Sequence, residues 1–299
     1  MGLSTFQMIK KMSSSAVRID TIELNSEQIK AHQKTLLSMM DDIVNVCKEN
    51  NINYFLGGGS ALGAMRHQGF IPWDDDLDVN MPRADYERFI DLFQYRFGSK
   101  YWVHTPRKTH NYGLSMAKIR KKGTIMREWE DLDSQECGIC IDIFIIENVF
   151  DNRLCRIVQG VVSLGLGYAL SCRKFYHNRY VIRKLFADDV KVFNFKVFIG
   201  ALLSFASLDW WCRLTDTWHS ICKNSESKYV SGCAGRLHFF GEMYSRELFC
   251  KVKEVDFEGR KWNVPVDVEG YLRHCYKDWT RIPAEQDREK HLLFEYSNV

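Results

Sequence analysis

Between residues 25 and 50 the apolar positions Ile29, Leu36, Leu37, Met40, Ile43, Val44 and Cys47 recur at helical spacing, the repeat that marks one helix face. Asn25, with Gln28 three residues on, has the form of a capping box, and Asn50-Asn51 ends the segment. INYFLG (52–57) predicts a short buried strand. A helix opening at Ser60 (ALGAMRHQ), a strand over WDDDLDV (73–79) and a helix after Pro82 (RADYERFIDLFQYRF) follow, the last with Tyr86, Phe89, Ile90 and Phe93 inward. MAKIRKKGTIM (116–126) alternates apolar and basic residues up to a Gly turn and predicts a hairpin arm. CGICIDIFII (137–146) predicts a strand with Ile139, Ile141, Ile143 and Ile145 on one face and Cys140, Asp142 and Phe144 on the other. KVKEVDFEGRKWNVP (251–265) predicts a hairpin, followed by the helix DVEGYLRHCY (267–276).

Residues 151–225 are helical in pattern, basic and aromatic. Two runs in this block, 157–172 and 197–211, are strongly apolar, yet both fall short of the ~18–20 residues of a membrane span. They predict buried core helices or, alternatively, helices lying against a membrane surface. The expected architecture is α+β: a mixed-sheet core over 1–150, an inserted helical subdomain over 151–236 facing the acceptor or a membrane, and a mixed segment over 237–299 that completes the first unit.

Composition narrows the function. With 299 residues, 45% hydrophobic and 26% charged, the chain can bury a full core. A net charge of +3 gives no strong field for nucleic acid, so no nucleic-acid partner is expected. Ten cysteines are too sparse for a disulfide scaffold, no N-glycosylation acceptor occurs, the N-terminal stretch has no apolar signal core, and Phe6 stands where myristoylation wants Ser or Thr. Reduced thiols and a cytoplasmic location, with peripheral contact to the inner membrane face through 151–225, are the expectation.

The chemistry concentrates in the acidic run. Asp74, Asp76 and Asp78 share a strand face within an apolar frame, and Asp142 stands alone in an otherwise apolar strand. Crowded carboxylates repel, and burying them unpartnered costs several kcal/mol. A divalent cation, Mg²⁺ with Mn²⁺ as substitute, removes that cost, and Mg²⁺ is typically held by one or two carboxylates together with substrate phosphates. An EF-hand fails, with Val79 where Gly is required and Asp85 where Glu is required. Upstream, Gly58, Gly59 and Ser60 join a strand to a helix start and turn backbone N–H groups towards an anion; they form neither a P-loop nor a nucleophile elbow.

These residues resemble the nucleotidyltransferase superfamily: Gly59-Ser60 after a first strand, Asp76-x-Asp78 on the next, and Asp142 on a later one. The closer resemblance is to the LicD family, which includes the fukutin-related proteins, through 54–89, AKIRKKGT (117–124), GICIDIF (138–144), DFEGRKWNVP (256–265), GYLRHCYKDW (270–279), the following IP and His291. It implies a nucleotidyltransferase-like core and transfer of a phospho-alcohol, such as phosphocholine or phosphoribitol, from a CDP-linked alcohol donor to a hydroxyl of a cell-surface glycan (lipopolysaccharide, teichoic acid or capsule precursor), with CMP leaving. Under it, Asp76, Asp78 and Asp142 are the catalytic metal ligands, and Asp142 also helps to deprotonate the attacking hydroxyl. Gly58, Gly59 and Ser60 bind phosphate. Lys118 and Arg120 neutralise CMP, Arg66 and His67 contact the donor, and Asp74 orients the ligands.

Other constellations compete. Cys137-x-x-Cys140 lacks a second pair at zinc spacing, Cys233 with His238 being a poor candidate. A choline cage would draw on Trp102, Trp129, Trp210, Trp211 or Trp218. An Asp-x-Asp glycosyltransferase using a nucleotide sugar would leave the Gly-Ser turn and Asp142 unexplained. A non-catalytic glycan-binding protein on the membrane face has no need of three costly carboxylates.

Overall fold

The computed structural model describes residues 21–131, 134–185, 190–285, 288 and 293–298. The N-terminal stretch and His291 lie outside them. The first helix, α1 (Ser26–Glu49), has the expected capping box, with the Asn25 side chain accepting from the Glu27 and Gln28 N–H groups and Gln28 returning to the Asn25 N–H. Its stripe of Leu36, Met39, Met40, Ile43 and Cys47 is fully buried. The strand β1 is only Phe55–Leu56, shorter than the run 52–57. Helix α2 spans Gly58–His67 and opens two residues before Ser60, because the Gly57 carbonyl already accepts the Ala61 N–H at 2.8 Å.

The acidic run is not a strand over 73–79. Strand β2 covers Asp78–Pro82. Asp74 N–H closes a turn on the Ile71 carbonyl, and the carbonyls of Asp74 and Asp75 accept from Gln33 Nε2 (2.9 Å) and His32 Nε2 (2.8 Å) of α1. The backbone of the first two aspartates is thus committed to a helix and has no ladder to join. Helix α3 (Arg83–Phe97) follows directly and buries Tyr86, Phe89, Ile90 and Phe93.

Strands β3 (Tyr101–His104), β4 (Ala117–Lys121), β5 (Ile125–Arg127) and β6 (Cys140–Val149) come next. The expected hairpin arm at 116–126 is split in two, its first part pairing antiparallel with β3. The chain turns at Gly123 (φ +80°), but β4 pairs with β3 and β6 while β5 pairs with β11 (Glu295–Ser297). In β6 the isoleucines 141, 143 and 145 are buried and Asp142 and Phe144 half-buried, as the alternation predicts.

The insertion carries α4 (Arg153–His177), α5 (Arg179–Leu185), α6 (Val190–Leu202) and α7 (Leu208–His219). These are not the buried core helices that the apolar runs suggest. In α4 only 22% of the most apolar window is buried, because among the described residues the helix is covered on one side, by α6, α7 and the short helix His238–Gly241. Strand β7 (Tyr229–Ser231) returns to the sheet, followed by α8 (His238–Gly241), β8 (Met243–Ser245), α9 (Arg246–Phe249), the hairpin β9 (Val252–Phe257) and β10 (Arg260–Pro265), and α10 (Val268–Tyr276).

The fold is therefore α+β. Its main sheet has seven strands in the order β1-β2-β6-β4-β3, with β7 and β8 extending β6 at its far end. Among the described residues only β2 and β6 run parallel, in the register Asp78↔Asp142 to Pro82↔Ile146. Helices α1 and α3 pack on β6. The insertion is joined to this core by a buried ion cluster in which Arg83 of α3 bonds Glu147 of β6 and, at 2.9 Å, Asp216 of α7. Removing Arg83 leaves buried Glu147 without its partner, while Asp216 keeps Arg107. Arg83→Ala should lower stability by roughly 3–5 kcal/mol, read from urea unfolding midpoints; an unchanged midpoint contradicts this role.

Candidate functional site

The parallel pairing of β2 and β6 sets two carboxylates side by side. Asp78 and Asp142 are register partners, and Asp142 faces Lys118 on its other neighbour, β4. Partners in register lie on one face of a sheet. Both carboxylates open into a cleft of about 980 Å³ that Gly58, Gly59, Asp74, Asp76 and Arg66 also line.

The helix start of α2 is locked to this pair. Ser60 Oγ accepts the Asp78 N–H at 2.8 Å, and Gly57 N–H donates to the Asp78 carbonyl at 3.0 Å. Gly58 has φ +46°, and a Cβ there would lie 2.5 Å from Asp78 Oδ2; one on Gly59 would lie 3.1 Å from Asp74 Oδ2. The glycines therefore admit carboxylate oxygens against the bare backbone. Gly58→Ala combines left-handed strain of about 1–2 kcal/mol with displacement of the Asp78 carboxylate. It should lower the thermal midpoint by a few degrees and cut turnover much further; wild-type turnover would contradict this packing.

Not every expected residue reaches the cleft. The Ser60 side chain is 4% exposed and is absent from the lining; its hydroxyl serves the start of β2. The Gly58 N–H, expected to face an anion, donates instead to Tyr271 Oη at 2.8 Å. Arg120 is 1% exposed and makes two 2.9 Å bonds to Asp131, because β4 turns it into a pocket under Gly138. His67 accepts from Arg66 Nε at 2.9 Å and is likewise absent from the lining. Burial lowers its pKa, and the Arg66 charge adds to this. Arg66 does line the cleft, with its guanidinium on the Trp279 and Arg281 carbonyls.

Lys118 is buried, 3.3 Å from Asp142 Oδ1 and 3.2 Å from Glu128 Oε2. Burial works to lower its pKa, but Asp142, Cys140 and Glu128 outweigh this and hold the ammonium well above the ordinary value. Burial raises the Asp142 carboxyl, opposed by Lys118. The lysine approaches Asp142 Oδ1 at an angle that leaves this buried oxygen without a hydrogen bond. Lys118→Ala should therefore destabilise the fold by about 3 kcal/mol, and adding Asp142→Asn should recover part of that loss. Additive losses in a denaturation double-mutant cycle would contradict the coupling.

Several residues escaped the sequence reading. Glu128, Tyr271, Trp73 and Trp279 all line the cleft. Tyr271 sits 213 positions from the Gly58 that it serves, a distance no local pattern spans. Of the tryptophans weighed for a choline cage, Trp129 lines the cleft, with Lys174 Nζ 4.9 Å from its ring centre. Trp102 lines a separate cavity of about 640 Å³ that Trp129 also borders, and Trp210 and Trp211 pack on each other within the insertion. Burial pushes the Cys140 thiol up to about 12. Among the described residues no three His, Cys, Asp or Glu side chains form a ready-made metal cluster, at Cys137-x-x-Cys140 or elsewhere.

Fold and site together define an α+β domain whose carboxylates converge from neighbouring strands beside a helix start. Residues 51–153 match the family described as "LicD/FKTN/FKRP, nucleotidyltransferase domain", and through this segment the chain is similar to that family. It is 27% identical over 274 residues to "Lipopolysaccharide cholinephosphotransferase LicD" of Haemophilus influenzae, covering 89% of this chain and 97% of that one. "Uncharacterized protein RP689" of Rickettsia prowazekii is 39% identical over 70 residues, 21% of this chain and 26% of that one. "Ribitol 5-phosphate transferase FKRP" of Mus musculus is 44% identical over 43 residues, 14% of this chain and 9% of that one.

Proposed function

We propose that this chain is a metal-dependent transferase that moves a phospho-alcohol, such as phosphocholine or phosphoribitol, from a CDP-linked donor to a hydroxyl of a cell-surface glycan. The observation that carries the reading is the Asp78–Asp142 register pair beside the Gly58 helix start, in a cleft large enough for a nucleotide. Relatives named as a cholinephosphotransferase and a ribitol 5-phosphate transferase support the chemistry.

The residues fit a divalent cation. Asp142 Oδ1 is a buried oxygen lacking a hydrogen bond, its register neighbour is a second carboxylate, and Asp76 lines the same cleft. The lack of a ready-made three-ligand cluster accords with Mg²⁺ held by one or two carboxylates and completed by donor phosphates. Asp78 and Asp142 would hold it, with Asp76 lining the same cleft, and it would neutralise charge on the diphosphate.

The chain's own groups do the rest. The open end of α2 at Gly59 faces donor phosphate with backbone N–H groups. The acceptor oxygen attacks the phosphorus that carries the alcohol, the bond from that phosphorus to the bridging oxygen breaks, and CMP departs with the electron pair. Asp142, beside Asp78 in the cleft, would accept the hydroxyl proton. Lys118 holds Asp142 in place and offsets its charge between turnovers.

The test is CMP release from CDP-choline, CDP-ribitol and CDP-glycerol with a glycan acceptor, with and without Mg²⁺. Asp78→Ala and Asp142→Asn should each lose about a thousandfold or more in rate, the several kcal/mol that such a clamp supplies, and keep the wild-type circular dichroism spectrum. Undiminished release without divalent metal, or UDP release from UDP-sugars with none from CDP-alcohols, would overturn the reading.

A further inference from the structure

Helix α4 carries an apolar stripe that none of the described residues covers. Leu154 (73% exposed), Ile157, Val158, Val161 (57%), Leu164 and Tyr168 lie in solvent at intervals of three and four residues, which is one helix face about 20 Å long. On its far side α4 is fixed to the protein. Gln159 is buried, donating to the Asn148 carbonyl and accepting the Phe150 N–H, and Trp218 Nε1 donates to the Gln159 carbonyl. Gly200 of α6 lies against Cys172 and Tyr176 of α4. Helix α6 adds exposed Phe195, Phe198 and Leu202, and Phe205 beyond it is 76% exposed. An apolar area of this kind on a folded surface marks a binding site.

Charge indicates the occupant. From residue 152 to 187 the sequence holds Arg153, Arg156, Arg173, Lys174, Arg179, Arg183 and Lys184 and no Asp or Glu. Arg173 and Lys174 face inward, Arg173 on the Gly200 and Ala206 carbonyls and Lys174 on Glu130. Arg153 and Arg183, near the two ends of the α4–α5 segment, are exposed. An apolar face with exposed cations on the same helical segment, in a run from 152 to 187 that holds no acid, matches an anionic lipid headgroup layer over apolar chains.

We infer that the outer face of α4, extended by α6, docks this protein in the plane of an anionic membrane surface. Length and composition alone would let α4 cross a bilayer. A helix that spans must leave the sheet to enter the bilayer, whereas α4 is tied at Gln159 to the Asn148 carbonyl and the Phe150 N–H at the end of β6. It therefore lies flat. The face also reaches the cleft: the ring of half-exposed Phe240 sits against Gly160 of α4, and Leu237, three residues earlier, lines the cavity. Docking thus sets the cleft rim at the headgroup level.

Flotation of the full chain with lipid vesicles tests this without reference to catalysis. The wild-type chain should float with phosphatidylcholine vesicles containing about one-third phosphatidylglycerol, far less with pure phosphatidylcholine, and less again in high salt, which screens the basic edge. Val158→Glu with Val161→Glu replaces two exposed positions with a better helix former, so the circular dichroism spectrum and urea midpoint should hold while flotation falls about tenfold or more. Arg153→Glu with Arg183→Glu should weaken binding to anionic vesicles alone. Failure of the wild-type chain to float, flotation untouched by the α4 pair, or a sedimentation dimer that the same pair dissolves would overturn the inference.

Discussion

One contact organises the sheet half of this molecule: the parallel pairing of β2 with β6, in register from Asp78↔Asp142 onward. The Asp142 N–H extends it by one further bond, donating to the Leu77 carbonyl at 3.0 Å. Side chains alternate along a strand, so a slip of one residue would send Asp142 into the isoleucine core and Ile141 or Ile143 into the cleft. The core forbids that slip, since Ile141 and Ile143 are wholly buried. Apolar burial on one face thereby determines where the carboxylates stand on the other. The same register brings Lys118 opposite Asp142, which lets an acidic group persist at this depth.

The loop before β2 is shaped by a second constraint. Three consecutive aspartates cannot all face inward, and the fold distributes them through the backbone. Carbonyls of Asp74 and Asp75 bond to α1, Asp78 N–H bonds to Ser60, and Gly58 leaves room for the Asp78 carboxylate. Ser60 therefore acts on the acidic strand, and Tyr271, from the far end of the chain, holds the glycine turn from outside. The C-terminal segment completes the site in space although nothing near Tyr271 in sequence announces it.

The insertion obeys a different logic. Its helices are joined to the sheet through charge, by Arg83 between Glu147 and Asp216, and their apolar residues are divided between a packed inner side and an outer side left in solvent. Periodicity finds such a helix readily. It does not distinguish burial against protein from exposure to another apolar phase, because both ask for the same residues at the same spacing. This is why the runs at 157–172 and 197–211 read equally as core helices or as helices against a membrane surface.

The sequence by itself determined the α+β order, the capping box at Asn25, the alternation that isolates Asp142 on its strand, and the concentration of Asp74, Asp76 and Asp78 after a glycine turn. These are local properties, set by side-chain period and by which residues tolerate a given backbone. Tertiary structure alone decided that β2 starts at Asp78, that β4 and β5 part company after Gly123, and that Arg120 is buried on Asp131 while Lys118 meets Asp142. It also decided that Ser60 and the Gly58 N–H are occupied within the protein. Each of these depends on partners far along the chain, and pairing between distant segments is selected by the packing of the whole core, which no window of neighbouring residues contains.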